Sequence, residues 1–144
     1  MLKGIPAILS PQLLKVLCEM GHGDTIVFAD AHFPAQSVSE RACVVRYDGV
    51  RIPELLTAVL TLFPLDRYDD APVTLMKVVE GDIEGGRCAA PIWDEYGSIL
   101  QGAHMQWCER YEFYDRARSA YCIVATGETQ QYANIILRKG VVRV

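Results

Sequence analysis

Leu13, Leu14, Leu17 and Met20 recur at helical spacing behind Ser10-Pro11, a capping serine followed by a proline suited to a first helical turn. This predicts a helix that Gly21 closes. The pattern then changes period. Residues 25–29, Thr-Ile-Val-Phe-Ala, favour a buried strand between Asp24 and Asp30. A loop through Pro34 and Ser37 leads to Val44-Val45-Arg46-Tyr47, which the turn signal Asp48-Gly49 closes. A second helix opens at Pro53, carries Leu55, Leu56, Val59, Leu60 and Phe63 on its apolar side, and stops at Pro64. Residues 74–79 read as a strand and 80–91 as an exposed loop rich in glycine and acidic residues. A third helix is expected over 92–104, with Trp93, Tyr96 and Leu100 inward, and a shorter one over 113–118. The chain closes with a strand over 120–126, a turn at Gly127-Glu128 and a strand over 134–137. Interleaved helices and strands predict a layered α/β domain with a sheet between helices.

Length and composition agree with that picture. A chain of 144 residues suits one domain, spanning 1–144, that buries roughly 70% of its unfolded surface. A hydrophobic content of 51% with 22% charged residues excludes disordered and low-complexity classes. Fourteen basic against eighteen acidic residues leave a net charge of -4, which offers no footprint for a phosphate backbone, so nucleic acid is not expected as a partner. The uncharged apolar run 55–65 has eleven residues, short of the roughly 20 that a membrane span needs. Membrane is therefore not expected, and the N-terminus carries no secretory pattern, so the expected location is cytoplasmic. Five cysteines without a CxxC pair read as reduced thiols with no assigned chemistry.

Several positions offer chemistry. His22 stands in Gly21-His22-Gly23-Asp24 just after a helix end, where the dipole and a neighbouring carboxylate such as Asp24 favour imidazolium. It is suited either to general acid work or to capping the helix carbonyls. Asp30 ends an apolar strand ahead of Ala31-His32-Phe33-Pro34, at the kind of strand end where α/β proteins gather ligands; capping the following loop is the competing role. His32 either joins that site or flanks it. Further on, Arg110-Tyr111-Glu112-Phe113-Tyr114 and Tyr132-Ala133-Asn134 supply a guanidinium, aromatic faces and an amide that match the two-way hydrogen bonding of a sugar hydroxyl. An Arg lying over core aromatics is the plainer reading of the first cluster. There is no GxGxxG, Walker loop, HExxH or GxSxG, so dinucleotide, phosphate-loop, zincin and hydrolase readings lose support.

Four ordered blocks, Met20-Gly21-His22-Gly23-Asp24, Phe28-Ala29-Asp30-Ala31-His32-Phe33-Pro34, Arg110-Tyr111-Glu112-Phe113-Tyr114, and Thr126-Gly127-Glu128 with Tyr132-Ala133-Asn134-Ile135-Ile136-Leu137, together resemble the RbsD/FucU family across nearly the whole chain. The family contains ribose pyranases and L-fucose mutarotases. The resemblance implies a three-layer α/β domain with a mixed sheet between helices, no cofactor and no metal, a monosaccharide substrate, and a homo-oligomer in the form of a ring-shaped decamer. Gly23, His32-Phe33, Arg110 and Tyr47-Asp48-Gly49 resemble the fucose branch, whereas Ala133 resembles the ribose branch. By resemblance His22 is the catalytic acid and Asp30, Arg110, Tyr132 and Asn134 bind the sugar, with Ala133, between the last two, counted among the substrate-binding residues.

The implied reaction is modest. Anomer exchange needs one group on the anomeric hydroxyl and another on the ring oxygen, and His22 and Asp30 fill those places in either order. A straight strand over 24–30, at about 3.3 Å per residue, separates its ends by roughly 20 Å. One monosaccharide does not bridge that. Either the chain bends sharply, or His22 and Asp30 of one site come from two subunits; the second is the expectation. The alternatives are pyranose-furanose interconversion of D-ribose and a non-catalytic monosaccharide-binding module.

Overall fold

The computed structural model describes residues 1–82 and 90–144. In order, the elements are α1 Pro11–Glu19, β1 Thr25–Ala29, α2 Ala35–Val38, β2 Cys43–Tyr47, α3 Ile52–Leu60, β3 Val73–Met76, α4 Ile92–Ile99, β4 Met105–Cys108, α5 Arg110–Arg118, β5 Cys122–Thr126 and β6 Ile135–Arg138. Six strands form one sheet in the order β2-β5-β1-β6-β3-β4. It is mixed, as expected: β2, β5 and β1 are parallel, β3 and β4 are parallel, and β6 lies antiparallel between β1 and β3. The carboxyl ends of β1, β2, β3, β4 and β5 therefore share one edge of the sheet, and β6 starts there.

Burial explains why the strands were readable. Every residue of β3 and β5 is buried, as are four of the five in β1, so both faces of the central sheet are covered and the strands read as continuous apolar runs. Leu13, Val16 and Leu17 of α1 and Ile52, Leu55, Leu56 and Val59 of α3 supply helix faces to the same core. Ser10 caps α1 by accepting from the Leu13 N–H at 3.2 Å, with Pro11 in the first turn.

Several expectations are corrected. The third helix ends at Ile99, not 104, because the backbone turns left-handed at Gln101 (φ 50°) and Gly102 (φ 83°), a conformation that stops a helix. Beyond that turn, residues 105–108 form the unforeseen edge strand β4, whose first three residues are not fully buried and so carry little apolar signal. β3 ends at Met76 and α5 begins at Arg110. The loop through Ser37 contains the short helix α2. Met20, extended at φ -62° and ψ 134°, ends α1 in place of Gly21, and Gly23 is the residue with a left-handed backbone (φ 86°). Of the expected loop over 80–91, residues 83–89 lie outside the described residues, and so does Cys88. Among the described residues Cys18, Cys43, Cys108 and Cys122 are free thiols, and no helix is long and apolar enough to cross a membrane.

Candidate active site

The shared strand edge builds a cleft. Asp30 follows β1 and Arg110 follows β4. Tyr132 and Asn134 precede β6, and the pairing of Phe28 with Ile135 brings Asn134 beside Asp30. The cleft measures about 510 Å³, and its wall includes Asp30, His32, Phe33, Met76, Arg110, Tyr114, Tyr132 and Asn134. That volume suits a small ligand.

Asp30 is only 6% exposed. Its own N–H donates to Asn134 Oδ1 at 2.8 Å, and the His32 N–H donates to Asp30 Oδ1 at 2.9 Å. Burial pushes the Asp30 carboxyl above the ordinary carboxylate range, while the His32 N–H and the Asn134 side chain pull the other way. A carboxyl so held is fit to take up a proton and return it. His32 therefore joins the wall and also steadies the acid through its backbone. Arg110 lies over the Tyr114 ring, 5.4 Å from its centroid, and its Nε donates to the Tyr114 hydroxyl at 3.1 Å. One turn of α5 sets this pair, since positions four apart share a helix face. The plainer reading of Arg110 as an Arg lying over aromatics is thus met at the cleft wall itself.

Tyr132 is left-handed at φ 60°, a conformation that costs a bulky residue about 1–3 kcal/mol and persists only where its surroundings hold it. They do hold it. Trp93 Nε1 donates to the Tyr132 carbonyl at 2.9 Å, the Val79 N–H donates to the Tyr132 hydroxyl at 3.3 Å, and that hydroxyl also donates to Asp82 Oδ2. Ala133 is wholly buried, and its carbonyl accepts from the Tyr96 hydroxyl at 2.6 Å. It stands behind the cleft, not on its wall. The preceding loop is anchored by Glu128, 1% exposed, which pairs with Arg51 at 3.1 Å and accepts from the Gln130 N–H at 3.1 Å.

His22 is elsewhere. It precedes β1, on the opposite edge of the sheet, and its Nε2 lies 3.1 Å from Asp66 Oδ1. The helix-capping role falls to Lys139, whose Nζ donates to the carbonyls of Leu17 (2.8 Å) and Met20. Asp24 accepts from the Gly21 N–H at 2.7 Å. Between His22 and Asp30 the strand runs without a break in its pairing. One protomer thus joins Asp30, Arg110, Tyr132 and Asn134, and leaves His22 apart. Among the described residues no group of three His, Cys, Asp or Glu side chains is placed to hold a metal ion.

The model of the RbsD / FucU transport protein family matches residues 3–142. The chain belongs to that family. It is 51% identical to the fucose mutarotase of Danio rerio, with 98% of this chain and 94% of that protein covered. It is 52% identical to the fucose mutarotase of Homo sapiens, covering 97% and 94%. Among solved structures, the fucose mutarotase of Streptococcus pneumoniae in complex with L-fucose matches with a TM-score of 0.90 at 48% identity, over 99% of this chain and 100% of that one.

The four sequence blocks omit residues that shape this site. Met76 is the last residue of β3, and Trp93 and Tyr96, which lie outside the blocks, hold the backbone carbonyls of Tyr132 and Ala133. Asp66 had no signal beyond being an acid after the apolar run that ends at Leu65.

Proposed function

We propose that this chain is an isomerase that interconverts the α and β anomers of L-fucose. The observation that carries this is the cleft at Asp30, of monosaccharide size and lined by a carboxyl, a guanidinium and an amide, in a chain about half identical to fucose mutarotases along nearly its whole length. The polar wall suits ring hydroxyls, and Phe33 and Met76 provide an apolar wall for the C5 methyl group of a 6-deoxyhexose.

In the proposed reaction Asp30 takes the proton from the anomeric hydroxyl while His22 gives one to the ring oxygen. The bond from C1 to that oxygen breaks, leaving an open aldehyde. Rotation about C1–C2 presents the other aldehyde face, and both protons return as the ring closes. Nothing is oxidised or reduced, and the two proton carriers exchange roles with direction. Arg110, Tyr132 and Asn134 hold the hydroxyls, and Ala133 sets the backbone between the last two.

Since His22 and Asp30 stand at opposite ends of β1, the reading requires a second copy to bring its own His22 to the Asp30 cleft. The assembly proposed is the ring-shaped homodecamer that the family resemblance implies, working in the cytoplasm, where its thiols stay reduced. Saturation-exchange NMR with L-fucose and D-ribose side by side tests the activity. Anomer exchange of L-fucose well above the uncatalysed rate is expected. Acceleration confined to the pyranose-furanose exchange of ribose, or binding of L-fucose without acceleration, overturns it.

A further inference from the structure

We propose that Asp66 is a positioning residue for the reaction, fixing the imidazole of His22 so that Nε2 carries its hydrogen toward the carboxylate and Nδ1 is the nitrogen that exchanges a proton with the sugar. The inference rests on the reading of His22 as a proton carrier. It adds which nitrogen works and what orients it.

The geometry is specific. Asp66 is 5% exposed, yet both of its carboxylate oxygens are engaged. Oδ1 accepts from the Tyr68 N–H at 3.0 Å and faces His22 Nε2 at 3.1 Å, while Oδ2 lies 3.4 Å from Arg138 Nε. The Tyr68 N–H, then His22 and Arg138, hold this carboxyl below the ordinary range. An ionised carboxylate only accepts, so the nitrogen facing it carries the hydrogen. The backbone keeps the two partners in place: the Asp66 N–H donates to the Arg138 carbonyl at 3.0 Å, and the Gly23 N–H donates to the Lys139 carbonyl at 2.8 Å. Tyr68 adds a ring 5.6 Å from the imidazole centroid, tilted by 56°.

Arg138 and the Tyr68 N–H already provide Asp66 with partners, so a purely structural acid has no need of His22. The imidazole for its part is 45% exposed, and among the described residues none hydrogen-bonds its Nδ1. One nitrogen is therefore tied down and the other presented outward. A carboxylate behind a histidine sets tautomer and ring orientation in this way without taking the proton itself.

Long-range ¹⁵N correlation spectra of the unaltered protein test the tautomer directly, with the His22 signals identified by their loss in His22→Gln. The expected neutral form has a protonated Nε2 and a bare Nδ1. In Asp66→Asn that preference is lost, and kcat for L-fucose anomer exchange falls at least roughly tenfold, a part of what a positioned acid-base group contributes, with KM little changed. A neutral His22 protonated mainly on Nδ1 overturns the proposal, as does full kcat in a folded Asp66→Asn. The spectrum of the unaltered protein decides even if that variant does not fold. Unchanged exchange in His22→Gln instead removes the underlying reading, and the role of Asp66 falls with it.

Discussion

Asp30 illustrates how a single side chain joins fold to chemistry. Water is withdrawn from its carboxyl, which raises its proton affinity, so the folded state holds a proton there more tightly than the unfolded chain does. The sign follows from linkage: the stability tied to this proton is fully present below the unfolded pKa and is lost as pH rises through the higher folded value. Asp30→Asn keeps an oxygen for the His32 N–H and removes the charge. Its melting temperature relative to the unaltered protein is thus expected to climb as pH rises from the acid side of the carboxylate range toward neutrality, checked by thermal unfolding across pH. The same variant is expected to lose roughly 10²–10⁴ in anomer exchange, the range of a general acid-base contribution, measured by NMR. Stability and activity move in opposite directions at this one residue.

Tyr132 shows a second kind of cost, and Tyr96 shows what sustains it. The Tyr96 hydroxyl is buried and donates to the Ala133 carbonyl at 2.6 Å. Tyr96→Phe leaves that carbonyl without its donor inside the core, a loss of about 1–3 kcal/mol. Urea unfolding is expected to show it, together with a raised KM for L-fucose as Tyr132 and Asn134 lose their shared support.

At the level of elements, the site is a product of one reversed strand. β6 alone opposes its neighbours, so the residues before it meet those that follow β1, β3 and β4. The turn that feeds β6 depends on Gly127, where an added Cβ would stand 2.1 Å from the Asp48 carbonyl oxygen. Gly127→Ala forces two backbone segments apart, at about 1–3 kcal/mol or more as an overpacking cost. A lower urea midpoint and a raised KM are expected, because the Glu128 anchor to Arg51 shifts with the turn. β1, α1 and α3 were legible because burial on a regular period writes itself into the sequence. β4 was not: it lies at the sheet edge, half covered, and its assignment depends on pairing with β3, to which residues 105–108 bear no visible mark.

For the whole molecule, His22 and Asp30 stand at opposite ends of β1 within one protomer. If each cleft receives His22 from another copy, a His22→Ala chain and an Asp30→Ala chain, both inactive alone, regain activity when refolded together. Random mixing in equal amounts restores about a quarter of the sites in a cyclic assembly, where each copy donates one residue and receives another. Exchange measurements over a range of mixing ratios check this, and absence of rescue at every ratio contradicts a shared site.

Sequence was enough for the alternating helices and strands, the family resemblance and the list of candidate site residues, because buried periodicity and short motifs are local properties. The length of β1 even marked His22 and Asp30 as too far apart. Where those residues ended up was another matter: Asn134 against Asp30, Ala133 behind the cleft, and Asp66 against His22 are contacts between distant segments. They arise from the direction of β6 and the packing of loops on opposite sheet edges, which depend on all the strands at once.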